Sequence, residues 1–351
     1  DSSIIITFAI PLFFGLILIE FFYGVITKQN NYRINDAITS MSLGLISRFV
    51  PILGLGFQYV VYKAVAEHYN LKLLSGEEIW VWVTAFILYD ICYYWMHRIH
   101  HEIKVFWATH VVHHHGEEFN LATALRQTST GFLWKWVFFL PLFIIGIPPQ
   151  MYVTVAGLNL VYQFWVHTEH IGRLGFLEYI FVTPSNHRVH HAQNEDYLDA
   201  NYGGVFILWD RLFGTFIDER SDLKPVYGTV KPLKSFNPFW ANIEVFYQMI
   251  FDSYHTEKFT DKIRVWFSPP NWRPEDVSMK YPIDKNDLSS FEKYDPNISL
   301  REKIFAGAQF TVINLMTIVM LFNVQNYIYS EIISIVSVSY THLRAHETSR
   351  N

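Results

Sequence analysis

Histidines are concentrated in one part of the 351-residue chain, where twelve of the 16 lie between positions 97 and 191. Three groups have the spacing of a single helix face. They are the pair His97 and His101, the H-x-x-H-H group His110, His113 and His114, and a second such group, His187, His190 and His191. Consecutive residues of an α-helix are about 100° apart, so each group directs its imidazoles towards one region.

The chemistry of imidazole indicates a metal site. Neutral imidazole binds iron, zinc, copper and nickel, whereas Mg²⁺ and Ca²⁺ prefer oxygen ligands. Eight imidazoles are enough for about two ions with four nitrogen ligands each, so we predict a dinuclear metal site held by the three groups. The alternative interpretation is a solvated polar face at a membrane surface. It accounts poorly for three such groups on one side of a membrane.

Other polar residues near these groups are further candidates. His167 and His170 are three residues apart, and either could be a ninth metal ligand; of the two we take His170. Asn194 is a candidate donor to a metal-bound water, with a structural turn as the alternative. His100 and His115 break the common faces, which predicts outer or surface positions for both. Carboxylates expected to hold the second ring nitrogen of the ligands are Asp90, Glu102, Glu169, Asp196 and Asp199.

The composition is typical of a membrane protein. Hydrophobic residues make up 51% of the chain and charged residues 17%, with a mean hydropathy of +0.14, whereas soluble domains are about a quarter charged. The net charge of -5 and the lack of a basic stripe argue against nucleic-acid binding. The single cysteine, Cys92, excludes a disulfide framework and multi-cysteine metal sites.

Five apolar regions are candidates for crossing a bilayer, which requires about 20 helical residues. They are residues 4–26, 37–66, 79–96, 131–167 and 304–338. Pro51 interrupts the second region, Pro148-Pro149 predicts a helical hairpin in the fourth, and the fifth can form two helices with a turn near residues 323–326. We predict an all-α integral membrane protein, in which a transmembrane helical bundle carries a cytosolic histidine-box cap with the dinuclear metal site.

The distribution of basic residues predicts the orientation in the membrane. Lysine and arginine follow the first and third apolar regions and recur in residues 168–303, while the connections near Asn70 and Pro148 hold almost none. The positive-inside rule places these basic segments, and the histidines with them, in the cytoplasm. We therefore expect a multi-pass protein with a cytoplasmic active site, in the endoplasmic reticulum of a eukaryote or the inner membrane of a bacterium.

The chain divides into five parts. We assign 1–78 to N-terminal transmembrane segments, 79–274 to the histidine-containing domain, 275–303 to a polar linker, 304–338 to C-terminal transmembrane segments and 339–351 to a non-native tail. The first apolar run lacks a basic n-region and a cleavage site, which favours a span over a signal peptide. The chain begins at Asp1, so we expect preceding residues. Gly203 and Gly204 predict a turn with positive φ rather than a phosphate cradle.

Two stretches resemble the fatty acid hydroxylase/sterol desaturase superfamily. One is "DICYYWMHRIHHEIKVFWATHVVHH" followed by "NLATALRQ", and the other is "PSNHRVHHAQNEDYLDANYGGVFILWDRLFGTF". Within the superfamily, "EEFNLATALRQ", "YQFWVHTE" and "VYGTVKPL" are most similar to the alkylglycerol monooxygenase family, whose members cleave glyceryl ethers. The resemblance covers roughly residues 79–274, which makes this part a fatty acid hydroxylase-like catalytic domain.

The resemblance implies a di-iron centre held by the eight grouped histidines, which activates O₂ to hydroxylate a lipid from the bilayer. In the alkylglycerol family the ether-adjacent carbon is hydroxylated, and the hemiacetal collapses to an aldehyde and a glycerol derivative. Tetrahydrobiopterin supplies the electrons there, so we expect a pterin or a redox protein as the donor. Glu102 matches a family carboxylate and is a candidate catalytic residue. His115 and His170 depart from the family pattern, which leaves donor and substrate open.

Three other functions fit parts of the pattern. A sterol or fatty-acyl hydroxylase or desaturase is a near neighbour in the same superfamily. A membrane zinc hydrolase would use a metal-bound hydroxide, but such sites hold about three protein ligands per metal, so eight histidines fit it poorly. A metal transporter would place ionisable ligands within its spans, whereas these histidines lie at or beyond the ends of the apolar regions.

Overall fold

The computed structural model describes residues 2–53, 57–74, 76–323 and 326–344. Within these ranges all regular secondary structure is helical, and the only β-bridges are two isolated antiparallel ones, Phe181 to Phe206 and Ala192 to Tyr227. The prediction of an all-α protein is therefore confirmed for the described residues.

Fourteen α-helices are described, joined by short 3₁₀ turns. In chain order they are α1 (Ser2–Ile26), α2 (Ile34–Ile52), α3 (Gln58–His68), α4 (Ile79–Glu102), α5 (Lys104–His114), α6 (Leu140–Ile145), α7 (Pro149–Trp165), α8 (Pro184–His190), α9 (Leu208–Phe213), α10 (Pro238–His255), α11 (Phe259–Phe267), α12 (Glu275–Lys280), α13 (Leu300–Phe322) and α14 (Tyr329–Arg344). The longest of them coincide with the apolar regions of the sequence.

Two helical segments are long and apolar enough to cross a membrane: α4, and residues Leu300–Met320 of α13. Shorter apolar helical stretches lie in the first, fourth and fifth predicted regions, at Pro11–Ile26, Lys135–Ile145 and Ser330–Ser339. The described residues thus give two candidate spans where the sequence predicted at least five. The multi-pass topology stays a prediction.

The interruptions predicted within the apolar regions are present. The second region is divided into α2 and α3, and the fifth into α13 and α14. The hairpin at Pro148-Pro149 has a regular second limb, α7, but its first limb is only partly α-helical. Pro141 explains this difference, because a proline inside a helix lacks an N–H and clashes with the preceding turn. Helix α6 therefore starts next to Pro141, and the residues before it form 3₁₀ turns.

The segment predicted as a polar linker is tied to the histidine-containing domain. Lys293 Nζ lies 2.6 Å from Glu118 Oε2, and the backbone N–H of Tyr294 donates to Glu117 Oε2 at 2.6 Å. At the other end of the chain, α14 continues to Arg344, inside the predicted tail. Residues 345–351 lie outside the described residues, so the origin of the tail stays a prediction.

A single residue, Ile103, separates α4 from α5. Its backbone is extended, with φ -122° and ψ 125°, so α5 turns sharply and packs against α4. The Lys104 N–H donates to the Ser268 carbonyl at 2.9 Å, which ties the turn to the end of α11. This turn brings the first two histidine groups face to face.

The third histidine group lies on α8, whose start is fixed by a capping box. Thr183 Oγ1 accepts a hydrogen bond from the Asn186 N–H at 3.4 Å, and Asn186 Oδ1 accepts one from the Thr183 N–H at 3.1 Å. Pro184 occupies the first turn, where no helical partner for its missing N–H exists. The sequence Thr-Pro-Ser-Asn thus sets where α8 begins and which way its histidines point.

Asp90 of α4 is fully buried and holds the loop after α8 against this helix. Its carboxylate accepts hydrogen bonds from the Val205 N–H at 2.9 Å, the Phe206 N–H at 3.0 Å, Trp209 Nε1 at 2.9 Å and Asn159 Nδ2 at 2.8 Å. One carboxylate therefore joins a candidate span, the hairpin helix α7 and the loop that supports the third histidine group.

Gly203 and Gly204 lie just before these contacts. The prediction that they need positive φ is wrong, because neither is among the described residues with positive φ. Instead, a Cβ at Gly204 would lie 2.8 Å from Asp90 Oδ1, and one at Gly203 would lie 2.6 Å from the Phe206 carbonyl oxygen. Glycine is required at Gly204 because the loop approaches α4 closely, and at Gly203 because the loop turns back on its own backbone.

We expect Asp90→Ala to lower the apparent melting temperature of the detergent-purified protein by on the order of 5 °C, because four buried donors lose a charged acceptor. The matched control is Glu67→Ala on α3, whose exposed carboxylate lies 3.8 Å from Lys63 Nζ. It should shift the temperature by less than about 1 °C. Thermal unfolding measures both, and equal shifts would contradict the role assigned to Asp90.

Candidate metal centre

Nine histidines form two compact groups, in each of which the ligand nitrogens lie within 4.8 Å of one another. The first group contains His97, His101, His110, His114 and His190, and the second contains His113, His167, His187 and His191. All eight histidines predicted from the spacing belong to one group or the other. The structure thus assembles the predicted set, while the identity of the metal stays a prediction.

Each H-x-x-H-H motif contributes to both groups. On α5, His110 and His114 are four residues apart and face the first group, while His113 faces the second. The motif at α8 is divided in the same way, with His190 in the first group and His187 and His191 in the second. The spacing predicted that each motif aims at one point. There are instead two neighbouring groups, and α5 and α8 each contribute histidines to both.

Backbone carbonyls hold the second ring nitrogen of four of these histidines. The Nδ1–H groups of His97, His113, His167 and His190 donate to the carbonyl oxygens of Tyr202, Arg126, Gln163 and Ala200, at 2.8, 3.0, 2.8 and 2.9 Å. A carbonyl only accepts, so each neutral ring has its proton on Nδ1 and presents a lone pair on Nε2. The sequence predicted carboxylates in this place, and for these four rings that prediction is wrong.

Two of these lone pairs face each other. His113 Nε2 and His167 Nε2 are 3.2 Å apart, and in the neutral rings neither nitrogen carries a proton to donate. Desolvation in the protein interior lowers the pKa of His113, which disfavours a protonated ring in this pair. A cation between the two rings removes the repulsion, because both lone pairs then coordinate it. This contact is the clearest fit of the site to a metal ion.

The spacing of adjacent nitrogens matches the edges of a coordination shell. The Nε2 to Nε2 distance is 2.9 Å for His97–His110 and His167–His187, 3.1 Å for His187–His191 and 3.2 Å for His110–His114. With metal–nitrogen bonds of about 2.1 Å, ligands at right angles are about 3.0 Å apart and tetrahedral ligands about 3.4 Å apart. The observed edges lie between 2.9 and 3.2 Å, which fits imidazoles that share one ion.

Burial keeps the rings neutral, and neutral imidazole is the form that binds metal. It lowers the pKa of His190 to about 4 and the pKa values of His110 and His114 well below the ordinary value. The Nε2 atoms of His101 and His190 are buried and have no hydrogen-bond partner in the described part of the chain. Such atoms are costly to bury unless a ligand satisfies them.

His167, and not His170, completes the second group. His170 packs edge-on against Tyr23 of α1, with ring centroids 5.1 Å apart. Its position excludes it from both groups, so the prediction of His170 as the ninth ligand is replaced by His167. The spacing alone did not separate the two, because both follow the end of α7. His167 lies at the very end of that helix, opposite His113.

His100 and His115 are both buried, which contradicts a surface position. The His100 Nδ1–H donates to the Met96 carbonyl at 2.6 Å, and its ring packs beside Phe106 and Phe138. Neither histidine belongs to the two groups. They fill space around the first group, which agrees with the outer position predicted for them.

The two other predicted site residues do not contact the histidine groups. Glu102 is 45% exposed, and its carboxylate pairs with Arg98 Nε at 2.8 Å. Asn194 Nδ2 donates to the Lys224 carbonyl at 3.2 Å, and its Oδ1 accepts from the Val226 N–H at 2.8 Å. Because both polar atoms of its side chain are engaged by the backbone, Asn194 fits the structural-turn interpretation.

Two cavities reach the histidine groups. The membrane cavity, about 400 Å³, lies among α1, α2, α4, α7 and α13 and is bounded by His110, His113 and His167. The cap cavity, about 700 Å³, is bounded by His101, His114, His190 and His191 and by Glu102. The two linings share no histidine, so a molecule in one cavity leaves the other free.

Comparison with known proteins agrees with this geometry. Residues 82–215 match the family model for fatty acid hydroxylases and include all nine grouped histidines. The chain is 38% identical to an alkylglycerol monooxygenase of Xenopus tropicalis over 285 residues, covering 81% of this chain and 63% of that protein. For the alkylglycerol monooxygenase of Homo sapiens the identity is 40% over 267 residues, with coverages of 76% and 59%.

A third alkylglycerol monooxygenase, of Danio rerio, is 38% identical over 291 residues, covering 82% of this chain and 64% of that protein. Residues 82–215 thus carry a fatty acid hydroxylase domain. The chain is similar to alkylglycerol monooxygenases and spans about three fifths of the length of these relatives. No solved structure matches the chain significantly.

We expect His167→Ala to lower the metal content of anaerobically purified protein by about half, since the second group then keeps three ligands. His170→Ala, the matched control from the same loop, should leave the content unchanged. Mass spectrometry of the metals, normalised to protein, measures both. Metal loss from His170→Ala alone would restore His170 as the ligand.

The buried histidines predict how stability depends on pH. The folded state lowers the pKa of His190 from 6.5 to about 4, so between these values the unfolded chain binds more protons. The contribution of such a histidine to the free energy of unfolding of metal-free protein is therefore fully present above about pH 6.5. It decreases as the pH approaches 4, by at most about 1.4 kcal/mol per pH unit for each such histidine. Melting temperatures from pH 8 to pH 4 measure this. Equal stability of metal-free protein at pH 7 and pH 4.5 would contradict buried neutral rings.

Proposed function

We propose that the chain is a membrane-bound di-iron lipid monooxygenase that uses O₂ and hydroxylates the ether-adjacent carbon of alkylglycerols, releasing an aldehyde. One observation carries this proposal. The membrane cavity is lined by His110 of the first histidine group and by His113 and His167 of the second. A lipid chain in this apolar cavity would lie beside both metal positions.

Iron accounts for the histidine groups better than zinc does. Hydroxylation of an alkyl carbon needs a redox-active metal, and zinc has no redox chemistry. The first histidine group also offers five nitrogen ligands, one more than tetrahedral zinc takes. Iron held by the nine histidines would supply the activation of O₂ that breaks the C–H bond.

The chain's own residues position the lipid and exclude water. Phe13 and Phe164 stack with centroids 3.9 Å apart and, with Leu160, give the membrane cavity an apolar wall. Such a wall accepts an alkyl chain and keeps bulk water from the reacting carbon. The Gln163 carbonyl accepts the His167 Nδ1–H at 2.8 Å, so the helix that forms this wall also orients one ligand.

We assign the electron donor to the cap cavity. Besides four grouped histidines it is lined by polar side chains, among them Glu102, Gln193, Lys231 and Gln248. A pterin such as tetrahydrobiopterin, or a group presented by a redox protein, finds hydrogen-bond partners there. Because the lipid occupies the other cavity, donor and substrate do not compete for space.

The enzymes of this family are membrane-associated, and this chain has two candidate spans. We propose in addition a multi-pass topology with the cap cavity on the cytoplasmic face, in the endoplasmic reticulum of a eukaryote or the inner membrane of a bacterium. The lysines and arginines that follow the third apolar region and recur in the histidine segments support this orientation.

The test is turnover of 1-O-hexadecylglycerol by detergent-purified protein supplied with Fe(II), O₂ and tetrahydrobiopterin. We expect hexadecanal to form only when O₂ is present and to be lost in His110→Ala. Oxidation of sterols or fatty acyl chains instead would move the function to a neighbouring branch of the superfamily. O₂-independent hydrolysis supported by zinc would contradict the proposal.

We expect Leu160→Trp, which fills part of the membrane cavity, to lower turnover of a hexadecyl ether at least about tenfold more than that of an octyl ether. Leu160 lines the cavity. The control, Leu158→Trp, lies on the same helix but on its outer face, where Leu158 is 48% exposed. Aldehyde release from the two ethers measures the ratio, and an equal effect of both variants would contradict the assignment of the cavity to the alkyl chain.

A further inference from the structure

The membrane cavity contains two cations that its apolar character does not explain. Arg48 of α2 and Lys135 are its charged lining residues apart from the histidines, and no acidic side chain lines it in the described ranges. Neither makes an ion pair or hydrogen bond with another described residue; Lys135 is half-buried, whereas Arg48 is exposed. An unpaired, half-buried ammonium in apolar surroundings is costly, so Lys135 favours an anion in the cavity, and the positive charge of Arg48 in the same lining adds to that preference.

Lys135 lies where the membrane cavity meets a second space. This side chamber, about 390 Å³, has the polar side chains Ser47, Gln58, Tyr59, Tyr62 and Ser129 among its lining residues. Lys135, Gln127 and Thr128 line both the cavity and the chamber. A molecule with an apolar tail and a polar head can thus place its tail along the Phe13 and Phe164 wall and its head at this junction.

The junction lies near the metal positions. Lys135 lines the same cavity as His110 and His113. The reaction proposed above requires the same arrangement, because the ether-adjacent carbon at the metal is only a few bonds from the headgroup. The headgroup must therefore lie close to the histidines, where Lys135 is the nearby cation.

We propose that Lys135 and Arg48 form an anion-binding headgroup subsite, which selects single-chain glycerol ethers that carry a phosphate. The subsite rests on the proposed function, since it assigns the glycerol end of that substrate to the junction. Lys135 binds the phosphate at the junction and Arg48 adds a second positive charge along the same cavity. Gln127 and Thr128 face the glycerol hydroxyls.

The experiment compares equilibrium binding of 1-O-hexadecylglycerol 3-phosphate and of 1-O-hexadecylglycerol to the full chain in detergent, without O₂. We expect the phosphate lipid to bind at least about tenfold more tightly. Lys135→Met should remove most of this preference and Arg48→Met part of it, with neutral-lipid binding changed less than about threefold. Lys135→Arg should retain the preference. Lys63→Met is the matched control, because Lys63 is 62% exposed on α3.

Equal affinity of the wild-type protein for both lipids would overturn the subsite, whatever the variants do. So would a preference that survives in both Lys135→Met and Arg48→Met. Inorganic phosphate is the third probe. If inorganic phosphate displaces bound phosphate lipid at the same concentration at which free phosphate lipid does, the site binds free anions and is not a headgroup subsite.

Failure of this subsite and failure of the proposed function are distinguishable, because binding is measured without turnover. If the preference for the phosphate lipid is found but neither lipid is oxidised under turnover conditions, the subsite stands and the monooxygenase proposal fails. If the neutral ether is oxidised and no preference is found, only the subsite fails.

Discussion

Lone pairs that face one another across a buried space are the constraint on which this structure depends. Neutral imidazoles with their protons fixed on Nδ1 by backbone carbonyls cannot hydrogen-bond through Nε2 to each other, and His113 and His167 nevertheless approach to 3.2 Å. Only a cation makes such an arrangement favourable. Helices α4, α5 and α8 and the end of α7 must therefore pack together, and the connections between them position these helices.

Contacts of α4 hold these helices together. Asp90 binds the loop after α8 through four donors, and the extended residue Ile103 turns α5 against α4. The same helix is a candidate membrane span and lines the membrane cavity. The two histidine groups are thus fixed at the end of an apolar helix, which accounts for the many imidazoles just beyond the most apolar stretch of the sequence.

Much of the site was predictable from residue spacing, because a pair four residues apart on a helix faces one direction wherever the helix lies. The spacing therefore identified eight of the nine grouped histidines. It did not predict how the motifs divide between two groups, since that depends on the turn at Ile103. Nor did it separate His167 from His170, which differ only in position relative to the end of α7.

Other features could not be predicted from the sequence, for different physical reasons. The partners of the ligand rings are carbonyl oxygens such as that of Tyr202, and every residue has a carbonyl, so no residue type marks them. Gly204 is needed for a close approach to Asp90, a contact between segments far apart in sequence. The hydrophobic pattern predicted the apolar regions well, but it gave too little weight to Pro141, which shortens the first limb of the hairpin.

The measurement that most directly tests a dinuclear iron centre is X-ray absorption at the iron and zinc edges on anaerobically purified protein. We expect about two irons per chain, each with five or six nitrogen or oxygen neighbours at about 2.1 Å, and a second iron as a neighbouring scatterer. Tetrahedral zinc at this stoichiometry, or a single isolated ion, would contradict the assignment of both histidine groups to a redox-active pair.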